Sequence, residues 1–326
     1  MSENHQSSII NHQSGITLLC PGQGAQAVGM GKAWFEAHPV AAQTFAAANE
    51  ALGFSLSDLC FEGPAEQLNR TDMAQCAIYT ASVACFQALL ESGEVSTFTA
   101  TAGLSLGEFT ALHIAGAYDF VEGLNLVKLR GQAMQDAAEA SEGSMVAVTG
   151  DVTEDAINEL CDKARSSGGS DSVLVPANFN SPMQVVVSGS VDACERAVDV
   201  ASEMGFKPTP LTVAGAFHSP LMQPAADRLS ESLDKVQWNT PNVPVISNVT
   251  GEPHHAEDID SIKASLVAQL TSPVRWTQSM QWAVANFEEG TRYVELAPGK
   301  VLSGLMRRID RGTKVENFNE PPKTSS

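Results

Sequence analysis

Cationic residues are scarce in this chain. Nineteen Lys and Arg stand against 38 Asp and Glu, leaving a formal net charge of −19. Gripping a phosphate backbone needs cationic surface, so nucleic acid is excluded as a partner. Cysteine is never paired: Cys20, Cys60, Cys76, Cys85, Cys161 and Cys194 contain no C-x-x-C, and most fall in apolar runs. They read as reduced core thiols of a cytosol-like compartment rather than a disulfide framework. No apolar run approaches the length of a bilayer span, so no membrane segment is expected. The opening "MSENHQSSIINHQSG" has no Lys, no Arg and no apolar stretch. It resembles neither a signal nor a transit peptide, and a cytoplasmic location is expected. Residues 1–14 read as a mobile polar tail and residues 316–326 as a second one.

What is present is a regular alternation. Strand-like runs at 16–20 ("ITLLC"), 97–102, 243–249 ("VPVISNV") and 292–296 ("RYVEL") are separated by helical stretches such as 39–52, 73–91 and 120–140. That order predicts an α/β domain with a mainly parallel sheet. The segment 144–213 reads differently, as strand, helix, two strands joined by a turn containing "NSP", a second helix and a last strand. The order βαββαβ is the ferredoxin-like arrangement. The expected organisation is a large domain of residues 15–140 and 214–315, with a small domain of residues 141–213 inserted into it.

"ATAGLSLGEFTAL", residues 100–112, spaces Ser105 between glycines as G-x-S-x-G. A β-branched run precedes it and an apolar helix follows. Strand, sharp turn with Ser, then helix is the geometry that raises a hydroxyl above a sheet end. The first amides of the helix face whatever that hydroxyl attacks. A small residue in a tight turn gives the same string. A serine nucleophile also needs a base. His5 and His12 lie in the tail, His254 and His255 in the polar loop "TGEPHHAEDID", and His38 stands before a proline. His113, eight residues along the helix from Ser105, is roughly 12 Å away at 1.5 Å per residue. His218, in "TVAGAFHSPLM", is the base that elimination leaves, although a buried histidine satisfied by backbone reads the same way. No third acid is evident; Asp119 and Asp151 are weak candidates, and a backbone carbonyl or amide side chain is the other way to orient the ring.

Arg130 is the most informative charge. Its helical neighbours at three and four residues, Leu126, Val127, Ala133 and Met134, are all apolar. A guanidinium on an apolar stripe needs an anion, either a structural carboxylate or a ligand held in its planar fork. With Ser105 and His218, the ligand reading describes acyl transfer from a substrate bearing a free carboxylate. "LLCPGQGAQAVGMG" carries G-x-G-x-x-A, which superficially fits a dinucleotide turn, but no acidic residue follows at the expected distance. Its glycines also let backbone approach a reacting carbonyl, with the Gln23 amide as oxyanion donor. Cys20, ending a strand before that loop, is an alternative nucleophile.

Taken in order, "PGQGAQAVGMG", "GLSLGEFTAL", "KLRGQAMQ", "NFNSPMQVVVSG", "AGAFHSPLM", "VPVISNVTGEP", "QLTSPVRWTQSM" and "ELAPGKVLSGLMRRI" closely resemble the malonyl-CoA:acyl carrier protein transacylases, from about Ile16 to Ile309. The resemblance implies an α/β-hydrolase-like core with an inserted ferredoxin-like domain. It implies ping-pong malonyl transfer from malonyl-CoA to the phosphopantetheine thiol of acyl carrier protein, through malonyl-Ser105 with His218 as base. It assigns the oxyanion site to the backbone of Gln23 and Leu106, the substrate carboxylate to Arg130, and orientation of the histidine to the Gln269 carbonyl. Asn180, Phe217 and Met134 line the site, with no metal and no resident cofactor. A hydrolase on the same scaffold is the alternative. Leu104 departs from the family's usual histidine before the nucleophile. Lys300, Arg307, Arg308, Arg311 and Lys314 form the densest cationic stretch. They are candidates for meeting an acidic carrier protein, although an ordinary helix end is also enriched in cations. A monomer is expected.

Overall fold

The computed structural model describes residues 15–169 and 172–322. The expected tail 1–14, with His5 and His12, lies outside the described residues. Among the described residues, nine strands form two sheets: β1 Ile16–Cys20, β2 Ala100–Gly103, β3 Gly143–Thr149, β4 Leu174–Ser181, β5 Gln184–Ser190, β6 Lys207–Pro210, β7 Val245–Ile246, β8 Arg292–Leu296 and β9 Val315–Phe318. The larger sheet has the order β7-β2-β1-β8-β9, and each of its pairings is parallel. Its inner strands are covered on both faces, so β1 and β2 are buried along their whole length. Continuous apolar or small-residue runs, rather than alternation, follow from that double cover.

The smaller sheet is antiparallel with the order β4-β5-β3-β6. Two amphipathic helices, Glu154–Ser166 and Val191–Glu203, bury Ile157, Leu160, Cys194 and Ala197 in a core of its own with Val146, Leu174 and Val187. Together the sheets give the expected α/β class with a four-stranded antiparallel unit beside a parallel one.

Three sequence expectations change. Residues 316–318 do not begin a tail; they belong to β9, which pairs with β8 from Tyr293↔Val315 to Leu296↔Phe318. The central pair Glu316 and Asn317 disguises β9, an edge strand none of whose residues is fully buried. The run 243–249 yields only the two-residue β7, since Pro244 has no amide for the ladder and the chain turns at Ser247. Helix Thr71–Ser92 is long and apolar enough to cross a bilayer, and 83% of its apolar window is buried inside the protein. It is a core helix whose flanks pack against helices Pro39–Leu52 and Phe120–Ala140, which is why polar relief is missing from its sequence.

Candidate active site

Strand β2 ends at Gly103, and helix Leu106–Ile114 starts after two intervening residues, Leu104 and Ser105. Ser105 joins them with φ 52° and ψ −105°. Among the described residues only two non-glycine residues have positive φ, Ser105 and His218 (φ 57°). Such conformations cost roughly 1–3 kcal/mol each and persist only where the surroundings enforce them. The two residues so strained are the two whose side chains meet, with Ser105 Oγ 2.9 Å from His218 Nε2.

The elbow is fastened by contacts that sequence reasoning missed. Asn248, just past β7, accepts from the Ser105 amide at 2.6 Å and donates to the Gly103 carbonyl at 2.7 Å. Glycines allow the neighbouring loop to press against it. A Cβ on Gly22 would overlap the Leu104 carbonyl, and one on Gly107 would overlap the Cys20 carbonyl. The Leu104 amide also donates to the Cys20 carbonyl at 3.1 Å. The loop carrying Gln23 is therefore locked beside the turn carrying Leu106, whose amide opens the helix and has no intrahelical acceptor. Residues 21–31 run as turns with no helix starting directly after β1. No helix N-terminus stands there to receive a pyrophosphate, which removes the basis of the dinucleotide reading.

His218 is buried, and its Nδ1 lies 2.7 Å from the Gln269 carbonyl. A carbonyl only accepts, so Nδ1 carries the proton and Nε2 presents a lone pair to the serine hydroxyl. Burial, then the Arg130 charge, push the imidazole down to about 4, against a smaller upward pull from the Gln269 carbonyl. At neutral pH the ring is therefore an uncharged acceptor. Among the described residues no acid is hydrogen-bonded to the ring.

Arg130 reaches the same oxygen from helix Phe120–Ala140. Its Nη2 donates to Ser105 Oγ at 3.0 Å and to Gln269 Oε1 at 2.8 Å, and its Nη1 donates to Gln75 Oε1 at 2.8 Å. The side chain is 1% exposed and stacks over Phe109 at 5.3 Å. None of its hydrogen-bond partners is a carboxylate, and its Nε is buried without a partner. Burial lowers it to about 10, with Glu108 pulling the other way, so the guanidinium stays cationic. A buried cation held only by neutral oxygens, with one donor unpaired, is chemically suited to pair with an anion.

The cleft over this cluster holds about 850 Å³. Its lining includes Gln23, Leu104, Ser105 and Met134 of the large unit with Phe217 and His218, and Asn178, Asn180 and Val186 of the small sheet. Val301 and Leu305, on helix Val301–Ile309, stand at its edge, and that helix carries the exposed Arg307 and Arg308 in its last turn. The structure thus brings Gln23, Ser105, Met134, Asn180, Phe217 and His218 around one space, with Leu106 next to Ser105 in the chain and the buried Arg130 and Gln269 joined to Ser105 and His218 by hydrogen bonds.

Other candidates lie elsewhere or are occupied. His113 Nδ1 is satisfied by the Tyr118 carbonyl at 3.0 Å. Cys20 is fully buried and its thiol is pushed far up by that burial, which disqualifies it as a nucleophile. His254 is not in a solvated loop as its polar surroundings suggested. The loop folds back on β7, with the His254 amide on the Val245 carbonyl, and its side chain is 4% exposed, 2.7 Å from Glu108. Glu108, Asn248 and Gln75 are the polar members that the sequence did not single out. The one available signal was Gln75, one of two amides within the apolar run of helix Thr71–Ser92.

A parallel α/β core, a serine on a strained strand-to-helix turn and a neutral histidine at its hydroxyl define the class of α/β-hydrolase-like acyltransferases. The acyl transferase domain family matches residues 17–317. The malonyl CoA-acyl carrier protein transacylase of Bacillus subtilis is 42% identical over 309 residues, 94% of each chain. That of Escherichia coli K12 is 40% identical over 308 residues, covering 94% of this chain and 96% of its own. The crystal structure of an acyl carrier protein S-malonyltransferase from Vibrio cholerae superposes with a TM-score of 0.86 at 40% identity, over 94% of this chain and 98% of that one. A malonyl-transacylase solved in complex with a type II PKS acyl-carrier protein gives 0.88 at 36% identity, over 94% and 97%. The chain belongs to the malonyl-CoA:acyl carrier protein transacylase family.

Proposed function

We propose that the chain transfers a malonyl group from malonyl-CoA to the phosphopantetheine thiol of acyl carrier protein through a malonyl ester on Ser105. The observation that carries the choice of acyl group is Arg130: a buried cation with a spare donor, 3.0 Å from the serine hydroxyl. Malonyl is a short acyl group whose far end is a carboxylate. Once that carboxylate takes the guanidinium, the thioester carbon at the near end falls within reach of Ser105 Oγ.

In the first half-reaction Ser105 Oγ attacks the thioester carbon and His218 Nε2 takes the hydroxyl proton. The oxyanion is received by the amides of Gln23 and Leu106, fixed beside one another by the glycine contacts above. Collapse breaks the carbon–sulfur bond, and His218 returns the proton to the coenzyme A thiolate. In the second half-reaction the carrier thiol gives its proton to His218 and attacks the ester. The new thioester forms, and Ser105 leaves with the proton from His218. The Gln269 carbonyl stabilises the imidazolium in both halves, in the place an acid holds in a triad. Asn180, Phe217 and Met134 bound the space for the acyl group.

Helix Val301–Ile309 borders the cleft through Val301 and Leu305, and its cationic last turn is the surface proposed to receive the acidic carrier protein. Intact-protein mass spectrometry after brief exposure to malonyl-CoA tests the reading. One malonyl adduct is expected, absent in Ser105→Ala and much weaker with acetyl-CoA. An adduct that survives in Ser105→Ala overturns the assignment. Free malonate without any adduct would favour hydrolysis instead.

A further inference from the structure

Beneath the elbow lies a carboxylate that the mechanism above does not use. Glu108 sits in the first turn of helix Leu106–Ile114 and is 1% exposed. Three donors converge on it: His254 Nε2 at 2.7 Å on Oε1, and Gln269 Nε2 at 2.6 Å and the Asn248 amide at 3.2 Å on Oε2. No Lys or Arg pairs with it directly among the described residues. Burying an anion this way is costly unless its hydrogen bonds are complete, so its persistence calls for a role.

The role follows from the polarity of one side-chain amide. Gln269 Nε2 donates to Glu108 and to the Ser105 carbonyl at 3.1 Å, which leaves Gln269 Oε1 facing Arg130 Nη2. Reversed, the amide would set its NH2 against the guanidinium, donor against donor, and its oxygen against a carboxylate. A carboxylate only accepts. Glu108 therefore dictates which end of Gln269 meets Arg130, and through that contact where Nη2 stands beside the serine.

We infer that Glu108, steadied by His254, is a positioning residue for the malonyl-carboxylate arm, acting on Arg130 through the side chain of Gln269. The inference rests on the proposed reading of Arg130 as the carboxylate ligand. It is separate from the contact between the Gln269 main chain and His218, because main-chain oxygen and side-chain amide serve different partners. The Glu108 charge also acts in the direction that keeps Arg130 protonated.

The readout is the ratio of kcat/KM for malonyl-CoA to that for acetyl-CoA, which a merely structural lesion would leave unchanged by slowing both. Glu108→Met keeps the length of the side chain and removes both acceptors. Gln269→Met keeps the main-chain carbonyl on His218 and cuts the relay. Each should lower the ratio about tenfold. Glu108→Gln retains one acceptor for Gln269 and Asn248, and His254 can accept its NH2 in the other tautomer. It should therefore restore most of the ratio. Arg130→Ala is measured beside them. If it abolishes the preference while Glu108→Met and Gln269→Met keep the native ratio, the relay is wrong and the clamp stands. If Arg130→Ala itself leaves the ratio unchanged, the clamp is wrong and the relay falls with it. Where Glu108→Met does not fold, Glu108→Ala, read by the same ratio beside Gln269→Met, decides in its place: a native ratio in Glu108→Ala overturns the inference.

Discussion

Arg130 Nη2 lies 3.0 Å from Ser105 Oγ, so a buried cation shares the nucleophile's oxygen with the base. In the free protein this contact holds the hydroxyl and depresses the histidine at once. On the proposed reading of Arg130, a malonyl carboxylate on the guanidinium would offset its charge and make His218 a stronger base.

This has a titration consequence. His218 is lowered to about 4 first by burial and then by Arg130. NMR of its imidazole in the free protein should show a midpoint near 4. In Arg130→Ala the midpoint should rise, yet stay below the ordinary value because burial remains. Arg130→Lys should keep it low. A native midpoint at the ordinary histidine value would refute the argument. For stability the sign is the same: the folded state resists a proton that the unfolded state accepts. This contribution is complete above pH 6.5 and is lost as pH falls toward about 4.

Asn248 fixes the strained amide of the nucleophile and the carbonyl of Gly103 together. In Asn248→Ala both buried groups lose their partner, at roughly 1–3 kcal/mol each. Differential scanning calorimetry should show a Tm lowered by several degrees, and malonylation of Ser105 should slow. An unchanged Tm with native malonylation would show that the elbow holds itself.

Gly107 lies against the Cys20 carbonyl with no room for a methyl group. Gly107→Ala should separate the loop of Gln23 from the turn of Leu106. Losing one oxyanion donor costs roughly 10²–10³ in kcat, and the loss should be equal for malonyl-CoA and acetyl-CoA, unlike the effect of Arg130→Ala. Stopped-flow acylation with both donors would separate the two; a selective loss of malonyl-CoA alone would contradict the oxyanion assignment.

Arg307 and Arg308 are exposed at the end of the helix whose start borders the cleft. Charge reversal to Glu at both should raise KM for the carrier protein well above any change in KM for malonyl-CoA, and the gap should narrow at high salt. Equal effects on both substrates would remove this surface from docking.

Much of the architecture was legible in the sequence because its signals are local. Helices at 39–52 and 120–140 and the strand at 292–296 follow from periodicity within one segment. The signals failed where an element depends on partners. Strand β9 is recognised only beside β8, and β7 is cut short by Pro244 and the turn after it. His254 read as a loop residue because nothing in "TGEPHHAEDID" records that the loop closes over Glu108.

By itself the sequence determined that a serine stands between strand and helix, that an arginine sits on an apolar helix face without a partner, and that eight ordered blocks match one enzyme family. Those are properties of neighbours a few residues apart. What the tertiary structure alone decided is that Ser105, Arg130, His218 and Gln269, drawn from four separate segments, share one hydrogen-bonded cluster. It also decided that a main-chain carbonyl does the orienting, and that Glu108 and Asn248 brace the turn from below. The physical reason is that polar contacts in a buried site are satisfied across the fold rather than along the chain. Their partners are fixed by packing, and a residue's type does not reveal which distant carbonyl or amide it will meet.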